Sequence, residues 1–128
     1  MRLLLDTHIL IWALGEPKRL PKEVRAALES PANEVLFSAA SIWEIAIKAQ
    51  MGRANFKIAP AEIAQAAVDS GFVELPVRAE HGARVSSLPL HHRDPFDRLL
   101  VAQAMTEPCR LVTADAILSG YSELVVIV

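Results

Sequence analysis

The stretch RLLLDTHILIWALG, residues 2–15, decides the reading of the fold. Arg2 to Leu5 is a short apolar run that stops abruptly at a polar cluster, the pattern of a strand buried on both faces of a parallel sheet. From His8 the chain reads as a short helix closed by Gly15. A buried strand that runs straight into a helix is half of a crossover unit, so further strand–helix alternation is expected downstream.

That alternation is present. PKEVRAALES (21–30) places Pro21 at a helical first turn and stops before Pro31. EVLFS, Glu34 to Ser38, reads as a second strand, and AASIWEIAIKAQMG (39–52) as a helix. In that helix Ile42, Ile45, Ala46 and Ala49 follow the i, i+3, i+4, i+7 spacing of one buried face. PAEIAQAAVDSG (60–71) is a further helix running from Pro to Gly; FVELPV (72–77) is strand-like, and RAEHGARVSSL (78–88) is weakly helical. PFDRLLVAQAM (95–105) is a strong helix, CRLVT (109–113) a strand, DAILSG (115–120) a short helix and LVVIV (124–128) a final strand. The expectation is an α/β fold with right-handed crossovers and a mostly parallel central sheet covered on both faces.

The 128 residues, 52% of them apolar, suit one domain, 1–128, with a real core and no repeat or Gly/Ser linker. A formal net charge of −2 excludes whole-molecule attraction to nucleic acid, so any RNA contact must come from a local basic patch. The single cysteine, Cys109, cannot form an internal disulfide and reads as a small buried apolar residue, which suits a reducing cytoplasm. No Cys/His metal spacing exists. The first 15 residues loosely resemble a signal peptide, but Asp6 and His8 interrupt the apolar run. No apolar run reaches the roughly 20 residues that span a bilayer, so no membrane association is expected.

In parallel sheets function collects outside the carboxyl ends of the strands. Asp6 directly follows the first strand, and Asp115 follows CRLVT by one residue. Glu44 lies in the helix after the second strand, and Asp97 in the first turn of the helix from Pro95. Parallel strands would bring these four acids to one edge. Each also has a plainer reading. Asp6 and Asp115, like Thr7 and Thr113, are natural caps for the helices that follow. Glu44 shares a stripe with Ser41 and Lys48 that meets either bulk water, with an i, i+4 Glu44–Lys48 pair, or a cleft.

HHRDPFDRLLVAQA (91–104) carries two aspartates three residues apart. Asp94 precedes Pro95 and is the natural N-cap. Asp97 falls at the third helical position, where it either supports the cap and the helix dipole or projects toward the other acids. Crowded carboxylates repel, and some take up protons unless a cation neutralises them. Hard oxygen ligands suit Mg²⁺ or Mn²⁺, which activate water and stabilise charge on a phosphodiester under attack. The chemistry that fits is metal-dependent phosphodiester hydrolysis.

LLLDTHILIWAL, SAASIWEIAIK, HRDPFDRLLVAQA and LVTAD occur in the order and context of PIN-domain ribonucleases, and the chain most resembles the VapC-type toxins of bacterial type II toxin–antitoxin systems. The resemblance runs from Met1 to about Val128. It implies a three-layer α/β/α sandwich, Mg²⁺- or Mn²⁺-dependent RNA cleavage, a homodimer and a cognate antitoxin that blocks the site. It assigns the catalytic acids to Asp6, Glu44, Asp97 and Asp115, with Asp6, Asp97 and Asp115 on the metal and Thr7 and Thr113 as supporting hydroxyls. Asp115 is the most variable of these, acting directly or through water.

Around these acids, His91, His92 and Arg93 precede the Asp97 helix and are set either for RNA phosphate or for loop solvation. Lys48 and Arg98 either touch phosphate or pair with an acid. Trp12 and Trp43 sit among aliphatic residues and read as core or dimer contacts rather than base-stacking platforms. His8 and His81 carry no readable role. Two other chemistries match less well. An aspartyl-phosphate phosphatase needs a second aspartate two residues after Asp6, where this chain has His8. A receiver-like signalling domain places its key aspartate after a mid-sheet strand, which this sequence lacks. A PIN nuclease of RNA processing or quality control keeps the fold and is told apart by gene neighbourhood.

Overall fold

The computed structural model describes residues 1–52 and 59–128. Five strands, β1 (Arg2–Leu5), β2 (Glu34–Ser38), β3 (Val73–Leu75), β4 (Arg110–Thr113) and β5 (Val125–Ile127), form one sheet. Its order is β3-β2-β1-β4-β5, and every pairing is parallel. The helices are α1 (Thr7–Gly15), α2 (Lys22–Glu29), α3 (Ala39–Gln50), α4 (Pro60–Asp69), α5 (Ala79–Arg84) and α6 (Pro95–Thr106). Short 3₁₀ turns at Pro17–Arg19, Val85–Ser87 and Ala116–Gly120 complete the described residues.

The period-2 alternation of the strands explains the three layers. Leu3, Leu5, Val35, Phe37 and Val112 point to one face, where Ile9 and Leu10 of α1, Ile45 of α3 and Ile63 and Ala67 of α4 cover them. Leu4, Leu36 and Leu111 point to the other, under Leu100, Val101 and Ala104 of α6. Strands buried on both faces read as continuous apolar runs, which is why β1, β2 and β4 were legible. α4 gives way to β3 through Gly71, whose φ of 88° is the left-handed turn that a glycine makes freely. Gly15 does not close α1 in that way: it belongs to the last turn, and the chain leaves through Glu16, whose N–H returns to the Trp12 carbonyl.

β1 lies between β2 and β4, so the chain reverses its direction of travel across the sheet at the β1/β4 junction. Such a switch point opens a crevice at the carboxyl edge. Asp6 sits in that position, directly after the central strand and so against the expectation that no aspartate follows a mid-sheet strand, and its N–H donates to the Val112 carbonyl at 3.0 Å.

Two further expectations change. The buried side of α3 is Ala40, Ser41, Glu44 and Ile45, rotated from the Ile42/Ile45/Ala46/Ala49 face. Periodicity finds an apolar stripe, but a helix pressed against a cleft buries its polar stripe as well. Trp43 is not core: it is 59% exposed and meets the ring of Phe96 edge-on, with centroids 5.2 Å apart. Cys109 is buried, as expected. Among the described residues no helix is long and apolar enough to cross a membrane.

Candidate active site

Each acid at the carboxyl edge is held by the element that delivers it. Asp6 ends β1 and caps α1, accepting from the Ile9 N–H at 2.9 Å. Its other oxygen accepts from the Thr113 hydroxyl at the end of β4. The cap and the site are therefore the same residue. The Thr7 hydroxyl donates to Glu44 Oε1 at 2.6 Å, with Ser41 Oγ 3.0 Å from the same Thr7 oxygen. Lys48 Nζ donates to the second Glu44 oxygen one turn along α3. Glu44 is thus buried in a cleft wall with both oxygens engaged, and its stripe does not face bulk water.

Asp94 and Asp97 separate as their positions suggest. Asp94 Oδ1 accepts from the N–H groups of Phe96 and Asp97 at 2.8 and 3.3 Å and caps α6. Asp97 turns inward, where His92 Nε2 lies 3.0 Å from its Oδ2. Asp115 caps the Ala116–Gly120 turn through Oδ1, which accepts from the Ile117 N–H at 3.0 Å. Its Oδ2 lies 3.1 Å from the same His92 nitrogen.

These groups enclose a cavity of about 300 Å³ lined by Asp6, Glu44, Asp97 and Asp115 together with Thr7, Lys48 and Asp94, with His8 and Trp12 on its walls. A larger hollow, about 390 Å³, lies past the far end of α1 against Leu20, Leu28 and Phe72, but it gathers no cluster of acids. Chemistry, not size, distinguishes the two.

The cleft is electrostatically incomplete. Burial raises the Asp6 carboxyl above its ordinary range despite the bonds from Thr113 and Ile9. Asp97 is pushed up to about 7, first by burial and then by the charges of Asp94, Asp6 and Glu44, with His92 opposing the rise. Buried carboxylates that resist ionisation together are relieved by a cation at their centre. One imidazole and two carboxylates, His92, Asp97 and Asp115, bring ligand-type atoms within 4.8 Å of one another. Asp6 and Glu44 line the same cavity as Asp97 and Asp115. Oxygen-rich donors of this kind fit Mg²⁺ or Mn²⁺.

The other sequence candidates fall out unevenly. Arg98 is buried, and its guanidinium donates to the carbonyls of Pro89 (2.8 Å), Val85 (3.1 Å) and Leu88 (3.5 Å) and to the Tyr121 hydroxyl (3.2 Å). It staples the loop before α6 rather than pairing with an acid. His92 is not a solvated loop residue but a bridge between two acids. Arg93 is exposed beside it. Trp12 packs partly against the core, with the Arg19 guanidinium 4.4 Å above its ring. Sequence reasoning missed Tyr121, which pins His92, and His81, a fully buried residue bonded to Glu107 at 2.7 Å. No local pattern marks either one; each is defined by partners distant in the chain.

The PIN domain profile matches residues 3–124. The chain belongs to the PIN domain family. Ribonuclease VapC22 of Mycobacterium tuberculosis (strain ATCC 25618 / H37Rv) is 34% identical to this PIN domain over 115 residues, 88% of this chain and 85% of that protein. VapBC2 from Rickettsia felis, solved bound to a DNA fragment from its promoter, superposes with a TM-score of 0.70 at 14% identity, covering 100% of this chain and 98% of that one. VapBC-1 from nontypeable Haemophilus influenzae gives 0.61 at 17% identity, covering 99% and 98%. At those identities the structural likeness concerns the fold, the three-layer α/β/α sandwich of the family.

Proposed function

We propose that this PIN domain is a Mg²⁺- or Mn²⁺-dependent endoribonuclease and the toxin of a type II toxin–antitoxin pair. The observation that carries the reading is the meeting of Asp6, Glu44, Asp97 and Asp115 in one cleft with Asp97 pushed up to about 7. The ribonuclease named among its relatives supports the substrate class.

Asp6, Asp97 and Asp115 would hold the cation, with Glu44 completing the acidic wall. When bound, the cation supplies an activated water and stabilises charge on the phosphodiester under attack. The chain's own residues do the rest. Asp97 would face the cation as a carboxylate. Thr113 and Thr7 fix the orientation of Asp6 and Glu44, so neither carboxylate reorganises during the reaction. Lys48, partly exposed at the rim, offers a positive charge to RNA phosphate beside the Glu44 bond, and Arg93 extends that charge along the loop.

A carboxylate cleft is also a ready target for a basic side chain from another protein. We place a cognate antitoxin there, and we assign the exposed Trp43, packed on half-buried Phe96, to a homodimer contact. The domain is expected to act in the cytoplasm as one folding unit over residues 1–128.

The test is cleavage of total RNA by the purified protein with and without Mg²⁺, with the new termini mapped. Cleavage should need the metal and vanish in Asp6→Asn. Undiminished cleavage by that variant, or cleavage in excess chelator, contradicts the assignment. A toxin should also arrest growth, and a neighbouring small gene should relieve it; if the protein is inert in cells but active on RNA, a role in RNA processing takes its place.

A further inference from the structure

His92 stands where the acids delivered by two different elements meet. Its Nε2 lies 3.0 Å from Asp97 Oδ2 on α6 and 3.1 Å from Asp115 Oδ2 after β4. Which nitrogen carries the proton follows from the other side of the ring. Nδ1 accepts the backbone N–H of Arg93 at 3.0 Å, and an N–H can only donate. The ring proton is therefore on Nε2, shared between two carboxylates.

That wiring is the reverse of a metal-binding histidine, which presents a bare nitrogen to the ion and donates its other ring N–H to an acceptor. To ligate through Nε2, His92 would have to break its Arg93 bond and move its proton. The backbone resists such a rearrangement. The His92 N–H donates to the Tyr121 hydroxyl at 2.8 Å, and that hydroxyl accepts from buried Arg98 at 3.2 Å. Arg98 in turn ties down three carbonyls between Val85 and Pro89. A strut of two side chains, Arg98 and Tyr121, thus fixes the His92 backbone beside the cleft.

Asp115 is the acid that needs such help. It is the most exposed member of the His92–Asp97–Asp115 group, at 36% of its side chain, and one of its oxygens is committed to the Ile117 N–H. Asp6 and Glu44, by contrast, are buried and bonded by hydroxyls from neighbouring elements.

We propose that His92 is a positioning residue that draws Asp115 to Asp97 through its Nε2–H, so that the fourth acid contributes to cation affinity only while the strut Arg98–Tyr121–His92 is intact. This rests on the metal-dependent reading of the site. Removal of partners that orient metal ligands costs about 10- to 100-fold in metal affinity, and His92→Leu falls in that range for Mn²⁺. His92→Gln, which places an amide N–H near the same point, restores most of the loss.

The experiment measures the Mn²⁺ dissociation constant by calorimetry for wild type, His92→Leu, His92→Gln, Asp115→Asn and the double variant His92→Leu/Asp115→Asn, with metal-free melting curves to verify folding. The expected results are weaker binding by each Leu and Asn variant, no further loss in the double, and rescue by Gln. Pulsed EPR of the Mn²⁺-loaded wild type should show no directly coordinated nitrogen. Additive losses, wild-type affinity in His92→Leu, or a nitrogen bound to Mn²⁺ would each overturn the proposal while leaving the metal-dependent reading intact. A wild-type protein that binds no Mn²⁺ overturns both.

Discussion

His81 and His92 are wired alike at the two ends of the sheet. Each accepts a backbone N–H at Nδ1, from Arg78 and Arg93, and each turns Nε2–H toward a carboxylate. His81 meets one acid, Glu107, which also has the Arg2 guanidinium at 3.5 Å. His92 meets two, in a cleft already holding Asp6, Glu44 and Asp94. The outcome is opposite in sign. The His81 bond and the charge of Arg2 lower the Glu107 carboxyl, whereas burial and crowding raise Asp6 and Asp97. The first end is complete as it stands. The second carries more acids than Lys48 can offset, and that imbalance separates a site from a staple built of the same residue types.

The largest effect expected from this contrast is on RNA cleavage. Asp6→Asn and Glu44→Gln should reduce cleavage to background, whereas Glu107→Ala, which removes an acid at the other end, should leave the activity of the folded protein unchanged. Initial rates on one RNA under identical Mg²⁺ decide it; a Glu107→Ala defect comparable to that of Asp6→Asn would erase the distinction. The reverse holds for stability. Glu107→Ala strands the fully buried His81 without its acceptor and should cost about 1–3 kcal/mol by denaturant titration. Asp94→Ala, the loss of an N-cap, should cost about 0.5–2 kcal/mol and leave most metal-dependent cleavage in place. If it instead abolishes the Mn²⁺ response, Asp94 and not Asp97 is the acid at work.

The sequence disclosed most of the fold because strands buried on both faces leave uninterrupted apolar runs. It also separated Asp94 from Asp97, since a proline at the first helical position marks the residue before it as the cap. Glu44 was ambiguous: helical periodicity gives a stripe, not what covers it, and α3 is buried through its polar side as well. The partners of Arg98 and His92 were not legible for a different reason. Arg98 is defined by Tyr121, 23 residues away, and His92 by Asp115, which arrives from beyond β4. Local pattern carries no trace of such pairings.

The central claim, that the acids of the cleft bind a divalent cation, is tested most directly by melting wild type and Asp97→Asn across pH with and without Mn²⁺. The folded Asp97 carboxyl titrates at about 7 against 3.8 for an ordinary one, so its proton favours the folded state fully below 3.8, and that contribution is lost as pH rises through 7. Without metal, Asp97→Asn should therefore melt at or above the wild type, with the gap widening between pH 4 and 7. With Mn²⁺ the wild type should gain stability and the variant should gain little, because a ligand stabilises in proportion to its affinity for the folded state. A metal-free Asp97→Asn protein that melts well below wild type at pH 7, or one that gains as much from Mn²⁺, contradicts the account.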